Sequence, residues 1–300
     1  MSASWGGLPT SDQHESTRQL VLDALRKPGP FWFENLGPLL ILPRWSELGE
    51  RYGIDRENYG TARILGQTPQ ADRTVIGSLC KPVFDDDRKI LVESLGPQFV
   101  DQYSELGLKF YRSDEVGPEL LSSLRCAIHL ISLVRGAAVS VSAVLSVLHL
   151  LKPNSPNYDV SFSEPFVPFS IFVGVEREGR PNDDLRLAEG ILHECMHLQL
   201  TLIEGQIALI AAEKETHFSP WRQEIRPTRG VLHALYVFRA IQDFFAALMA
   251  SATLSEGQYR YAQRRYDQID EDVLQVEDLT MSQDLTPIGR AFATRLKARK

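Results

Sequence analysis

Between residues 185 and 212 apolar side chains recur every three or four positions, the period of a helix with one buried face, and Asp183 or Asp184 just before the run suits an N-cap. His193 and His197 lie inside this stretch, in His193-Glu194-Cys195-Met196-His197. Two helical side chains four residues apart share a face at about 6 Å, so both imidazoles can reach one ion. A metal held by His193 and His197 is the expectation. Gly205 is expected to break or bend the helix.

Two helical histidines suit zinc hydrolysis as well as iron oxygen chemistry, so a third ligand has to discriminate. The extended metzincin pattern requires Gly at 200 and His at 203, and the chain has Leu200 and Ile203 there. Glu204 lies seven residues past His197, about 10 Å along a straight helix, and is set aside as too distant. Glu213 and Glu215 remain as carboxylate candidates in a loop-like segment. His233 competes with them from the next predicted helix, "RPTRGVLHALYVF", facing the first pair across a helix-helix contact. Arg222, Arg226 and Arg229 crowd the approach to His233, and guanidinium groups beside a metal suit bidentate capture of a dicarboxylate.

The remaining elements are read from periodicity and breakers. Residues 16–27 are helical up to Pro28-Gly29-Pro30, 46–52 form a short helix, and 60–97 mix strand-like and loop pieces. Residues 119–151 read as one long or two consecutive buried helices, stopped by Lys152-Pro153. Residues 160–175 alternate large apolar and small polar side chains as β structure, with Pro165 and Pro168 pushing the first half to a sheet edge. A turn at 179–184, a loop over 213–226, a helix over 227–254 with Pro227 in its first turn, and helices over 256–278 and from Thr286-Pro287 onward complete the chain. The expected fold is α+β, predominantly helical with a small β-sheet, the metal lying between two helices. Residues 1–300 are expected to form a single catalytic domain, with 1–15 mobile and the motifs in 160–254.

Composition narrows the function classes. With 32 Lys and Arg against 39 Asp and Glu, the net charge of -7 argues against a general binder of phosphate backbones, so no nucleic-acid partner is expected. The longest uncharged apolar stretch, residues 136–151, falls short of the roughly 20 residues of a membrane span, and no signal peptide is visible. Three cysteines, Cys80, Cys126 and Cys195, at no metal or redox spacing point to a reducing cytoplasm. No GxxxxGK loop or GxSxG elbow occurs, so nucleotide hydrolysis and serine-hydrolase chemistry lack support.

Three stretches, "PFVPFSIFVGV", "RLAEGILHECMHLQLTLIEGQIAL" and "SPWRQEIRPTRGVLHALYVF", together resemble the HExxH-type peptide β-hydroxylases, iron and 2-oxoglutarate-dependent enzymes that modify ribosomally made precursor peptides. The resemblance covers residues 166–238, about a quarter of the chain, and rests on motif order and on the arginine-rich approach to Gly230-Val231-Leu232-His233. It implies Fe(II), 2-oxoglutarate and O2, and a precursor peptide hydroxylated at a side-chain Cβ. It makes His193, His197 and His233 the iron ligands and one of Arg222, Arg226 or Arg229 the anchor of the 2-oxoglutarate carboxylate. Three protein ligands leave two positions on an octahedral ion for the 2-oxoacid and one for dioxygen. Three histidines in place of two and a carboxylate leave such a site one negative charge short, which keeps Glu194 in play as the catalytic candidate.

Glu194 separates the alternatives. In a zinc metallopeptidase it is the general base that activates water; in the oxygenase it orients an imidazole or a bound water. A non-catalytic peptide-binding protein on the same scaffold is the third reading. Elsewhere, Asp85-Asp86-Asp87 reads as a solvated turn, His129 and His149 as core histidines, His217 as a residue that could line an entrance, and Cys195 as packed away from the histidine pair. Phe162, Phe166, Phe169 and Phe172 read as core in preference to a substrate wall. A solvated helix end accounts for the basic residues 290–300.

Overall fold

The apolar run at Val147–Lys152, which no helical period distinguishes from its neighbours, forms the central strand of a mixed sheet. Residues 147–151 are all buried, as expected for a strand covered on both faces, where alternation disappears and only apolarity is left. The computed structural model describes residues 11–53, 73–78, 89–95, 97–105, 107–154, 160–164, 167, 169–176, 182–251 and 253–298. Outside them lie Cys80, Asp85-Asp86-Asp87, Pro165, Phe166, Pro168, residues 179–181 of the expected 179–184 turn and residues 1–10 of the expected mobile start.

In chain order the helices are α1 (Ser11–Arg26), α2 (Gly37–Tyr52), α3 (Pro97–Ser104), α4 (Pro118–Ser132), α5 (Arg135–Val144), α6 (Asp183–Glu204), α7 (Thr228–Ser251), α8 (Glu256–Leu274) and α9 (Pro287–Lys297). The strands are β1 (Arg73–Ser78), β2 (Lys89–Glu93), β3 (Lys109–Phe110), β4 (Val147–Lys152), β5 (Ser161–Ser163), β6 (Ser170–Gly174), β7 (Thr216–Ser219) and β8 (Glu224–Pro227). The fold is α+β and predominantly helical with a small mixed sheet.

The sheet order is β1-β2-β4-β6-β5, with β3 on β4; β2, β4 and β6 run parallel, and β1 and β5 close the two sides antiparallel. The segment expected as one or two helices over 119–151 is therefore α4, α5 and a strand. β5 takes the edge position that the neighbouring prolines predict. α6 packs on β5 and β6 and against α4, α5 and α7. Its fully buried apolar residues, Leu185, Ala188, Ile191, Leu192, Cys195, Met196, Leu200 and Ile203, form the expected stripe.

Several boundaries differ from expectation. α1 starts at Ser11, five residues before the expected 16, so residues 11–15 of the expected mobile start are helical. α2 starts at Gly37, nine residues before the expected 46. Its neighbours Phe31, Trp32 and Phe33 are core, Phe33 stacking on Tyr236 at 5.9 Å. α6 begins after Asn182, whose φ of 60° places it in the left-handed region, so neither Asp183 nor Asp184 is the cap. Gly205 ends α6 as C-cap, so residues 206–212 are not helical. The expected 213–226 loop is a hairpin, β7–β8, and Pro227 closes β8 instead of opening the helix.

α7 is the one helix among the described residues long and apolar enough to cross a membrane, yet 78% of its apolar window is buried, the signature of a core helix. Thr228 starts it, with its hydroxyl 3.2 Å from Asp284 Oδ2; the same oxygen accepts from the Lys214 and Glu215 amides, so Asp284 fastens the base of the hairpin to the helix.

Candidate metal centre

With the apolar stripe of α6 spent on the sheet and its neighbour helices, the other face carries His193 and His197 into an open cavity of about 510 Å³. Their Nε2 atoms stand 3.2 Å apart. Two nitrogens each about 2.1 Å from one ion and at roughly a right angle to each other are separated by about 3 Å, so this pair fits a divalent cation. Burial, with the Arg222 and Arg265 charges, lowers the His193 imidazole to about 4. Burial and then the neighbouring His193, His233, Arg226 and Arg222 hold His197 well below the ordinary histidine range. Both rings are neutral at pH 7 and offer lone pairs, the form a metal requires.

α7 brings the third imidazole alongside: the His233 ring lies over that of His197 with centroids 5.7 Å apart and planes 16° from parallel. Its Nε2 is 3.0 Å from Glu204 Oε2, the carboxylate that also holds Arg229 at 2.7 Å. As these side chains stand, among the described residues no three His, Cys, Asp or Glu side chains close on one point to hold an ion. The His193 and His197 nitrogens already face one point, whereas ligation by His233 as well would require that ring to give up Glu204.

Glu204 was excluded by its distance from His197 along α6. Its actual partners come from α7, where Arg229 and His233 are four residues apart on one face. Burial raises the Glu204 carboxyl, but the hydrogen bonds and charges of His233 and Arg229 outweigh it and leave it below the usual carboxylate range.

Glu194 turns from the histidines toward β5. Ser161 donates to its Oε1 at 2.7 Å and Ser163 to its Oε2 at 2.9 Å, two serines at alternate positions of one strand and hence on one face. Burial pushes the Glu194 carboxyl up to about 7, although the two serine hydroxyls and Arg222 pull the other way. The serine clamp escaped sequence reading, although the Ser-Phe-Ser alternation marks the right face.

All three arginines line the cavity, with unequal commitments. Arg229 is paired with Glu204, and Arg226 Nε lies 3.6 Å from Glu224. Arg222, at the hairpin tip, has neither hydrogen bond nor ion pair on its guanidinium among the described residues, and its charge reaches His193, Glu194 and His197. The tip is anchored by Trp221, stacked on Phe238 at 4.9 Å, while Phe238 meets the His193 ring edge-on at 5.3 Å.

Of the carboxylate candidates, Glu213 lines the cavity, whereas Glu215 accepts from Ser282 Oγ at 2.6 Å and from the Gln283 amide. His217 does not line the cavity; its Nε2 is 3.2 Å from Thr228 Oγ1 at the start of α7. His129, expected in the core, is exposed. His149 is a core residue, but on a strand, with Nδ1 at 2.8 Å from the Glu93 carbonyl and its ring on Phe172 at 4.7 Å. Cys195 is fully buried, and burial raises its thiol well above the ordinary value. Phe169 and Phe172 are core, and Phe162 both stacks on Phe172 and lines the cavity.

No family model matches the chain, and no curated protein matches it.

Proposed function

We propose that this chain is an Fe(II)- and 2-oxoglutarate-dependent oxygenase that hydroxylates Cβ of a residue in a ribosomally made precursor peptide, working in the cytoplasm. The observation that carries the reading is the guanidinium of Arg222, unengaged among the described residues, in the same cavity as two neutral imidazoles whose Nε2 atoms are 3.2 Å apart. A hydrolytic zinc site needs the same imidazoles and can use an arginine for an oxyanion or a substrate carboxylate, so it is the resemblance of residues 166–238 that turns the reading toward the oxygenase.

His193, His197 and His233 would hold the metal, and Arg222 would receive the carboxylate of 2-oxoglutarate. When bound, iron with 2-oxoglutarate and O2 supplies the oxidant that turns a Cβ–H into a Cβ–OH while 2-oxoglutarate leaves as succinate and CO2. Phe238 packs edge-on against the His193 ring, with Trp221 stacked on Phe238, and supports that imidazole from its apolar side. Glu194, held by hydrogen bonds from Ser161 and Ser163, has its carboxyl 3.9 Å from His193 Nε2, beyond hydrogen-bond reach of that ligand atom, so its part would be to orient a bound water beside the ligands.

One observation favours a second reading, a zinc metallopeptidase: a Glu194 carboxyl near 7 suits a general base at neutral pH. Anaerobic loading with Fe(II), followed by 2-oxoglutarate titration, separates the two. The oxygenase gives a weak visible charge-transfer band that needs 2-oxoglutarate and disappears in His233→Ala. Absence of the band, with tight zinc retention and peptide cleavage lost in Glu194→Gln, establishes the peptidase instead.

A further inference from the structure

The strand beside the histidines has a side that no other strand uses among the described residues. β5 ends the sheet order, and Ser161, Phe162 and Ser163 line the same cavity as His193 and His197. Antiparallel strands alternate between pairs that exchange backbone hydrogen bonds and pairs that do not. The Gly174 amide donates to the Val160 carbonyl at 2.7 Å, so Val160 and Gly174 form a bonded pair, and two residues on Phe162 and Phe172 form the next. Ser161 and Ser163, opposite Val173 and Ile171, fall on the other positions. Their N–H and C=O groups therefore point away from β6, along the rim of the cavity.

We propose that the substrate peptide docks in extended form as an added strand on this edge of β5, hydrogen-bonded to the backbone of Ser161 and Ser163. An unpaired edge is a template for main-chain recognition, because an extended peptide satisfies its donors and acceptors whatever its side chains are. Register follows from the pleat. Peptide residues opposite Ser161 and Ser163 turn their side chains to the face on which those serines reach Glu194, the face covered by α6 and its histidines. The residue between them, opposite Phe162, turns to the far face, where Phe162 and Phe172 stack. The Cβ presented to the metal belongs to one of two residues two apart, separated by about 7 Å. The short strand and the two serines thus do two jobs: their hydroxyls fix Glu194, and their backbones hold the substrate.

The docking rests on the proposed function only in taking a peptide as substrate, and its test needs neither iron nor turnover. A phage-displayed library of random decapeptides is selected on the full-length chain, and the enriched peptide is resynthesised with one N-methyl group at each position in turn. Docking on the edge weakens binding about tenfold at two positions separated by one residue and leaves the intervening position within about twofold. Hydrogen exchange at the Ser161 and Ser163 amides slows in the complex. A loss spread evenly along the peptide, protection elsewhere than β5, or no enriched peptide overturns the docking. A 2-oxoglutarate band together with a non-alternating scan overturns the docking alone; an alternating scan without the band overturns the oxygenase and leaves the docking intact.

Discussion

Replacing Arg222 by Gln tests the assignment of the cosubstrate anchor among three arginines that share a cavity. The three differ in what already holds them: Arg229 is 2.7 Å from Glu204, Arg226 is 3.6 Å from Glu224, and Arg222 is unengaged among the described residues. A charge-assisted hydrogen bond to a carboxylate contributes about 1.5–3 kcal/mol, and the exposure of Arg222 places it in the lower half of that range. At 1.4 kcal/mol per decade, Arg222→Gln weakens 2-oxoglutarate binding by about 10- to 40-fold. Arg226→Gln and Arg229→Gln, which first break pairs with glutamates, cost about threefold or less by the same scale. The dissociation constant is read from the visible band in anaerobic titrations at one fixed salt concentration, with circular dichroism confirming that the hairpin-tip substitution leaves the fold unchanged. An unchanged constant for Arg222→Gln, or a larger loss for Arg229→Gln, refutes the reasoning.

Two further predictions concern stability. Burial lowers His149 to about 4 against an unfolded value near 6.5, so its contribution is complete above pH 6.5 and is lost as pH falls toward 4. That is about 3 kcal/mol at 1.36 kcal/mol per unit; urea titrations at pH 7.5 and 4 should show the wild type losing about that much more than His149→Phe, and identical losses would count against it. At Gly289 in the first turn of α9, a Cβ would run into the Leu209 carbonyl, a backbone atom that cannot turn aside. Gly289→Ala should cost about 1–3 kcal/mol and lower Tm by several degrees in calorimetry; an unchanged Tm would show that α9 simply shifts.

The comparison between sequence and structure is sharpest around the histidines. The i, i+4 pair and its helix were legible because helical period and metal-ligand spacing depend on neighbours along one chain segment. The arginine approach to His233 was visible as well, but not which arginine is uncommitted among the described residues, since Glu204 reaches Arg229 from another helix even though Glu224 holds Arg226 within one strand. Glu204 was dismissed by measuring along α6, where it is far from His197, when the relevant distance runs across to α7. At Val147–Lys152 the sequence reads as helix although the segment is a strand, because burial on both faces removes the alternation that separates the two.

Local periodicity and composition were enough to set out a mostly helical α+β chain, the histidine helix and the edge strand beside the prolines. What only the tertiary structure decided is which groups meet: Glu194 clamped by Ser161 and Ser163, His233 over His197 yet held by Glu204, and Arg222 placed beside the pair by a hairpin. The physical reason is that hydrogen bonds and charge pairing act over a few ångströms in space, between residues that can be 30 or more positions apart, as Ser161 and Glu194 are. Periodicity within one segment carries no information about such pairs until the segments have packed.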